Sequence, residues 1–228
     1  MADLYQSIDE AKNCLRVDFA NAYLGGASLS YGNVQEEIMF SLYPEMNVGR
    51  LFSKKMNHDE AILMVGPEQF SRATGYGGSL QFVGPFHRGE EGGISYTVAM
   101  DALNFRGADP LAQYHPLAVL RELNKSYAAF SASDTPPTIA TGNWGCGVFG
   151  GDAELKSLIQ WVSASRAGKT LLYHPFNQQN LHRRLSIVVD EVQTRSETFR
   201  VGEMVRFLLQ IRPTTSVFRQ FEQWIDRQ

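Results

Sequence analysis

The sequence predicts an α/β domain with a largely parallel central sheet flanked by helices. Two observations support this prediction. Several short apolar or β-branched runs end in Gly, Asn or Pro, and segments of helical period follow some of them. Strands that alternate with helices are typical of parallel sheets, in which ligands bind beyond the carboxyl ends of the strands. We therefore expect a site in the Asn- and Gly-rich stretches that follow the apolar runs.

Five segments have the composition of sheet strands: CLRVDFANAYLGG, EAILMVGP, SYTVAMDAL, PTIATGNWG and KTLLYHPFN. Helical periodicity predicts six helices, over Val34–Leu42, Pro116–Ser131, Ala153–Ser165, Asn180–Val192, Gly202–Ile211 and Ser216–Arg227. The sequence contains no internal repeat.

Length and composition indicate one domain over residues 1–228. The chain has 228 residues, 43% of them hydrophobic, and a formal net charge of −3. This charge gives no general attraction for nucleic acid, so we expect no direct sequence-specific binding to it. The two cysteines and five histidines are scattered, so we expect no metal site and no cofactor. No apolar run approaches about eighteen residues and the first residues are polar, so we expect no membrane span and an intracellular location, in the nucleus or cytoplasm.

A glycine-rich segment, TGYGGSLQFVGPFHRGEEGG, surrounds several aromatic residues and ends at Gly93. Its composition predicts an irregular surface loop over Gly75–Gly93. Two interpretations stay open, a loop that closes over a ligand and a long connection with no special role.

Two adjacent acids follow a glycine-containing loop in the stretch GGASLSYGNVQEE. Asn33, with Glu36 three residues later, is typical of a capping box and predicts a helix that begins at Val34. On such a helix Glu37 borders the apolar stripe, whereas Glu36 points away from it. An acid in a first turn can simply favour the helix dipole, which explains Glu36. A carboxyl group beside an apolar face suits general acid/base work, which is our interpretation of Glu37.

A second glycine-rich turn, NWGCGVFGGD, lies between a predicted strand and a helix that Asp152 is expected to cap. Gly145, Gly147 and Gly150 fit the G-x-G-x-x-G fingerprint of dinucleotide sites. The acid that would hold the ribose of NAD is missing from the next strand, which argues against a hydride-transfer enzyme. A backbone cradle for a diphosphate and a plain tight turn both stay open.

Five motifs in order resemble the macrodomain-like catalytic region of the poly(ADP-ribose) glycohydrolase family: VDFAN, GGASLSYGNVQEE, TGY, ATGNWGCGVFGGD and the strand that ends at Phe176. The resemblance covers almost the whole chain, from about Leu15 to Leu209. It implies a three-layer macrodomain-like fold that hydrolyses the ribose–ribose O-glycosidic bond of poly(ADP-ribose) and releases ADP-ribose. It also implies a compact form without the helical accessory region that animal members carry ahead of this domain.

The resemblance also implies a role for each of the acidic residues in these motifs. It makes Glu37 the catalytic acid that protonates the leaving ribose oxygen and then activates water. Glu36 and Asp18 would be supporting acids that bind and orient ribose hydroxyls, and Asn21 belongs to the same cluster. Hydrolysis through an oxocarbenium-like state needs such a protonated carboxyl group at the leaving oxygen.

The resemblance also assigns the substrate-binding residues. Tyr76 and Phe176 match aromatics around adenine, and Asn143 and Phe149 match positions near the diphosphate and the distal ribose. Asp9 matches, across a gap, an acid that holds adenine. The remaining residues belong to the same motifs and bring backbone or amide groups to the ligand: Gly25, Gly26, Gln35, Gly145 and Gly147.

One departure from the family pattern leaves alternatives open, because Ala27 stands where the family has the third glycine of a triplet. The added methyl group is tolerated if φ is negative, and otherwise it crowds the ribose and slows turnover. A binding module with weak turnover and a mono-ADP-ribosyl hydrolase of the same fold are therefore the alternatives to the glycohydrolase. The expected partners are poly(ADP-ribose), ADP-ribose and poly(ADP-ribosyl)ated proteins, and we expect a monomer.

Overall fold

The computed structural model describes residues 8–87, 93–195, 199–212 and 215–227, and these contain seven strands. The strands are β1 (Leu15–Asp18), β2 (Ile62–Val65), β3 (Ser71–Thr74), β4 (Gln81–Pro85), β5 (Tyr96–Ala99), β6 (Thr138–Gly142) and β7 (Thr170–His174). Five of them form the central sheet in the order β2-β5-β1-β6-β7. The pairs β5–β1, β1–β6 and β6–β7 are parallel, and β2 pairs with β5 in the antiparallel sense. Each of the five predicted strand segments contains one strand of this sheet, so the predicted mixed, largely parallel sheet is confirmed.

Six α-helices lie in the described ranges: α1 (Gln35–Leu42), α2 (Pro116–Phe130), α3 (Ala153–Arg166), α4 (Gln179–Thr194), α5 (Val201–Leu208) and α6 (Val217–Ile225). Each corresponds to a predicted helix, with ends that differ by at most three residues. Two longer 3-10 segments, Pro44–Leu51 and Pro110–Tyr114, were not predicted.

The two faces of the sheet bury two separate clusters of side chains. Leu15 and Val17 of β1 pack into a large core with the helices α2 to α6. On the opposite face, Ala99 and Ala140 pack with α1 and the 3-10 segment Pro44–Leu51. Because side chains alternate along β1, Arg16 and Asp18 face this second layer. The predicted arrangement of helices on both faces of the sheet is therefore confirmed.

The segment Gly75–Gly93 is more ordered than the sequence predicted. Strands β3 and β4 pair as an antiparallel hairpin, with a short 3-10 turn at Gly77–Ser79 between them. The prediction of an irregular loop is thus wrong for residues 81–85, and residues 88–92 lie outside the described ranges. The hairpin pairs only with itself, and its side chains are largely exposed, so no apolar alternation marks it in the sequence.

Two kinds of feature are absent from the described residues. None of their helices is long and apolar enough to cross a membrane. No group of three or more His, Cys, Asp or Glu side chains among them could hold a metal ion.

The ends of β6 and β7, at the edge of the sheet where the site lies, approach each other closely. A Cβ atom at Gly142, the last residue of β6, would stand 2.3 Å from the backbone oxygen of His174 in β7. We expect Gly142→Ala to lower the free energy of unfolding by about 1–3 kcal/mol, because backbone atoms would have to move apart. Gly202→Ala in α5, where nothing lies within 4 Å, is the matched control and should stabilise the protein slightly. Urea denaturation measures both, and equal effects would contradict this account.

Candidate active site

A cleft of about 1150 Å³ opens beyond the carboxyl ends of β1, β6 and β7. The topology brings there the loop after β1, the turn after β6 and the residues after β7, as a parallel sheet requires. Most of the residues predicted for the site line this cleft: Asn21, Gly26, Gln35, Glu36, Glu37, Tyr76, Asn143, Gly145, Gly147, Phe149 and Phe176.

Glu36 holds the loop that follows β1. Its Oε2 accepts a hydrogen bond from the backbone N–H of Asn21 (2.8 Å), and its Oε1 accepts one from Gly25 (2.6 Å). The side chain is only 2% exposed. The expectation that Glu36 points away from the buried side is therefore wrong, because the loop folds over the helix end and covers it.

Glu37 holds the other half of the same loop. Its Oε1 accepts from the N–H of Ala27 and its Oε2 from the N–H of Val34, both at 3.1 Å. The helix begins at Gln35 with Val34 as its N-cap, one residue later than the predicted Asn33. The acid that reaches back to the N-cap is therefore Glu37 and not Glu36.

The neighbouring Gln35 ties α1 to the sheet. Its Oε1 accepts from the N–H of Phe19 (2.8 Å), and its Nε2 donates to the carbonyl of Val17 (3.0 Å). These two bonds fix the first turn of α1 against the end of β1, so the carboxyl groups that follow Gln35 are placed by backbone atoms on both sides.

Burial controls protonation in this cluster. Burial raises the pKa of Glu36 from 4.5 to about 8, with a further increase from Glu37, while the hydrogen bonds from Asn21 and Gly25 and the charge of Arg50 oppose the shift. Burial and the nearby acids Glu36, Glu37 and Asp9 hold the pKa of Asp18 well above its ordinary value. Glu36 and Asp18 therefore retain protons at pH values where an exposed carboxyl group has lost them.

Small residues let the loop come this close to the acids. A Cβ atom at Gly26, where φ is +43°, would lie 2.7 Å from Oε2 of Glu36 and 2.7 Å from Oε1 of Glu37. A Cβ atom at Gly32 would lie 2.4 Å from Cγ of Glu37. Ala27 is absent from the described non-glycine residues with positive φ. Of the two possibilities for its methyl group, the tolerated one is therefore observed.

The two predicted aromatics form a pair at one end of the cleft. The ring centroids of Tyr76 and Phe176 are 5.0 Å apart, and their planes are inclined at 59°. Phe176 is 61% exposed, so it is not an ordinary core residue. It also has a φ of +51°, which is rare for a bulky side chain and holds the ring out over the cleft.

The turn Asn143–Gly151 forms another wall of the cleft. Gly145 has a φ of +74°, and its Cβ position would lie 2.6 Å from Cβ of Ala102. Within the described ranges, the N–H groups of Gly147, Val148 and Phe149 donate no hydrogen bond to another residue. Successive N–H groups of this kind make a concavity that binds anions.

Asn143 joins the turn to the end of β7. Its Nδ2 donates to the carbonyl of Pro175 (3.1 Å), and its Oδ1 accepts from the hydroxyl of Tyr173 (2.9 Å). Asp152 caps α3 as predicted, through the N–H of Leu155 (2.8 Å). Because this carboxylate occupies the helix end, an anion in the cleft would be held by the turn and not by the helix terminus.

Sequence comparison agrees with this arrangement. The family model described as poly (ADP-ribose) glycohydrolase (PARG), macro domain fold, matches residues 3–183. The chain belongs to this family. Its fold is accordingly the macrodomain fold of that family.

Curated relatives from two organisms match most of the chain. It is 34% identical over 248 residues to the probable poly(ADP-ribose) glycohydrolase 2 of Arabidopsis thaliana, a match that covers 89% of this chain and 46% of the relative. It is 36% identical over 208 residues to the poly(ADP-ribose) glycohydrolase 1 of Caenorhabditis elegans, covering 84% of this chain and 27% of the relative. The chain thus spans less than half the length of these relatives.

Among solved structures, the chain resembles the poly(ADP-ribose) glycohydrolase of Deinococcus radiodurans in complex with ADP-ribose. The TM-score is 0.49 and the sequence identity 18%, with 82% of this chain and 78% of the other covered.

Two of the predicted residues do not line the cleft of this family member. Asp18 is completely buried, and neither of its carboxyl oxygens has a hydrogen-bond partner among the described residues. It lies behind Glu36 and Glu37, which differs from the predicted contact with ribose hydroxyls. The N–H of Gly25 is already bonded to Glu36, and its Cβ position would lie 2.8 Å from Arg50 and from Phe40. Gly25 therefore supports the loop from behind.

Two residues that support the PARG-like site were not predicted from the sequence. Arg50 donates to Oγ of Ser28 (2.6 Å) and to the carbonyl of Gly26 (3.3 Å), from a 3-10 segment that had not been predicted. Gly32 packs against Glu37, and its position just before the helix start is a signal that could have identified it. Asp9, assigned across a gap, does line the cleft, and burial raises its pKa while Arg16 opposes this.

The protonation of Glu36 makes stability depend on pH. Between the ordinary pKa of 4.5 and the folded value of about 8, the folded state binds more protons than the unfolded state, so stability falls as pH rises through this window. Glu36→Gln cannot titrate and removes this contribution. We therefore expect the free energy of unfolding of the variant, relative to the wild type, to increase from pH 5 to pH 8.

Urea denaturation at several pH values measures this difference. Glu45→Gln, which removes an exposed carboxylate that accepts from the N–H of Glu68 (2.8 Å), is the control, and its effect on stability should change less between pH 5 and pH 8 than that of Glu36→Gln. A difference for Glu36→Gln that stays constant from pH 5 to pH 8 would contradict the assignment.

Proposed function

We propose that this chain hydrolyses the ribose–ribose O-glycosidic bond of poly(ADP-ribose), free or attached to proteins, and releases ADP-ribose. The observation that carries the proposal is the adjacent pair Glu36 and Glu37, buried at the wall of a large cleft and held by four backbone N–H groups of one loop. The membership of the chain in the PARG family supports the same reaction.

Glu37 is the residue that we assign to the acid and base steps. It is the more accessible of the pair, 7% exposed against 2% for Glu36, and its two hydrogen bonds are longer than those of Glu36. A protonated Glu37 would donate its proton to the leaving ribose oxygen, and the resulting carboxylate would activate water. Glu36 and Asp18, which hold protons more tightly than ordinary acids, limit the negative charge beside it.

The other walls of the cleft suit the remaining parts of ADP-ribose. The free N–H groups at Gly147, Val148 and Phe149 are donors for the diphosphate oxygens. The ring pair Tyr76 and Phe176 offers an aromatic surface for adenine. Their centroids are 5.0 Å apart, whereas an intercalated base needs roughly 7 Å, so the base would stack on an outer ring face and not between the rings.

The proposal predicts that Glu37→Gln removes turnover and leaves binding. Loss of a positioned acid typically lowers the rate by about 10²–10⁴-fold. We expect this loss in the release of ADP-ribose from purified polymer, with ADP-ribose affinity, measured by calorimetry, within a few-fold of the wild type.

Glu203→Gln is a matched control, because Glu203 occupies the same N3 position in α5 and its carboxylate accepts from the N–H of Arg200 (2.6 Å). This variant should retain wild-type turnover. Release of ADP-ribose by Glu37→Gln at the wild-type rate would contradict the role of Glu37. Binding without turnover in the wild type itself would contradict the proposed activity and favour the binding-module alternative.

Ala27 provides a separate prediction. The binding-module alternative depended on crowding by its methyl group, but its φ is not positive and its N–H reaches Glu37. We expect Ala27→Gly to change the rate of ADP-ribose release by less than about twofold. A large increase in rate would show that the methyl group restrains the reaction.

A further inference from the structure

Exposed aromatic and basic side chains surround the outer side of the loop that holds Glu36 and Glu37. Tyr23 is 64% exposed and Phe52 is 82% exposed, although both are large apolar groups. Lys54 and Lys55 follow Phe52 after one residue, Ser53, and are also exposed. We call these four residues the rim patch: Tyr23, Phe52, Lys54 and Lys55.

The structure ties the two segments of the rim patch to each other. The N–H of Met56 donates to the carbonyl of Ala22 (2.8 Å), which places the lysines beside the loop. The ammonium group of Lys55 lies 5.9 Å from the centroid of the Tyr23 ring, within the range of a cation–π contact. The patch is therefore one surface built from two parts of the chain.

The rim patch adjoins the proposed reaction site without being part of the cleft. Tyr23 stands between Asn21 and Gly25, whose N–H groups bind Glu36. The described lining of the cleft includes Asn21, Gly26 and Ala27 but none of the four patch residues. If the last ADP-ribose unit of a polymer fills the cleft with its distal ribose at Glu37, the next unit begins beside this loop, because Glu37 is hydrogen-bonded to the loop at Ala27.

We propose that the rim patch is a second subsite, which binds the next ADP-ribose unit of the polymer. This inference rests on the proposed function and names a further part of its substrate site. An adenine ring stacks on Tyr23 or Phe52, and the diphosphate of that unit lies against Lys54 and Lys55.

The chemistry of the patch favours this occupant. Aromatic faces combined with lysines are the usual means by which proteins hold single-stranded nucleic acid, and poly(ADP-ribose) presents the same bases and phosphates. The chain has a net charge of −3, so a local excess of cations on this rim is not a general property of its surface. Two exposed acids, Asp59 and Glu60, follow the lysines, and the carboxylate of Glu60 is bonded to the N–H and the side chain of Asn57, at 2.8 and 2.9 Å.

The test compares binding of one and two ADP-ribose units. The Glu37→Gln variant is used so that the polymer is not cleaved during the measurement. Calorimetry then gives the affinity of this variant for ADP-ribose and for the purified two-unit oligomer. We expect the oligomer to bind about tenfold more tightly. Adding Tyr23→Ala should lower the affinity for the oligomer about five- to tenfold and that for ADP-ribose by less than twofold. Phe52→Ala and Lys55→Ala should act in the same direction.

Matched controls are available on α2 and α5, which pack on the face of the sheet opposite to α1. Tyr127→Ala in α2 removes another exposed aromatic, and Arg206→Ala in α5 removes another exposed cation. Neither should alter the preference for the oligomer. The preference should also weaken as salt increases, and less steeply in the Lys55→Ala variant, because fewer phosphate contacts are then screened.

The possible failures are distinguishable. Equal affinity for one and two units, with polymer turnover by the wild type intact, would overturn the second subsite and leave the proposed function in place. An equal loss of both affinities in Tyr23→Ala would also overturn the subsite, because the residue would then serve the cleft. Absence of both binding and turnover would overturn the two proposals together.

Discussion

The hydrogen bonds between the carboxyl groups of Glu36 and Glu37 and the loop after β1 are the interaction on which the site depends. Four backbone N–H groups converge on two adjacent acids, and the glycines at 26 and 32 permit the contact. Burying two such groups is costly, because desolvation and mutual repulsion disfavour their charged forms. The N–H donors and the charge of Arg50 offset part of this cost, and the retained proton offsets more. One set of bonds therefore fixes the shape of the loop and opposes part of the rise in the pKa of Glu36.

A second buried network supports the opposite wall. Lys156, which is almost completely buried, pairs with Glu122 and lies over the ring of Trp144, 4.1 Å from its centroid. Arg121 bridges Glu122 and Asp101 at 2.6 Å each. The network joins α2, α3 and the end of β5 behind the turn that contains Gly145. Buried ion pairs add little net stability, but the loss of one partner leaves an uncompensated charge. The network therefore resists displacement of the turn, which suits a wall that offers free N–H groups to an anion.

The features of the fold and the site that local sequence pattern determines could be predicted, whereas those that tertiary packing determines could not. The five sheet strands could be predicted because each contains a short run rich in apolar or β-branched residues, and β1, β5 and β6 are almost completely buried. The position of Glu37 at the border of the buried stripe followed from helical periodicity. The burial of Glu36 did not, because it results from a loop folding back over the helix end, and periodicity describes only the helix itself. Arg50 could not be found because packing of Leu24 against Gly49 helps to place its segment. The hairpin β3–β4 was missed because neither of its faces is buried.

The buried acids also bear on how a negatively charged substrate could occupy this cleft. Three ionised carboxylates at Asp18, Glu36 and Glu37 would repel a diphosphate, and the low local dielectric would strengthen the repulsion. The raised pKa values of Asp18 and Glu36 remove most of that charge near neutral pH without removing the acids. Asp18 has no hydrogen-bond partner among the described residues, so nearby charge and burial alone govern its protonation. Asp18, completely buried with its pKa held well above the ordinary value, therefore adds little negative charge beside Glu36 and Glu37.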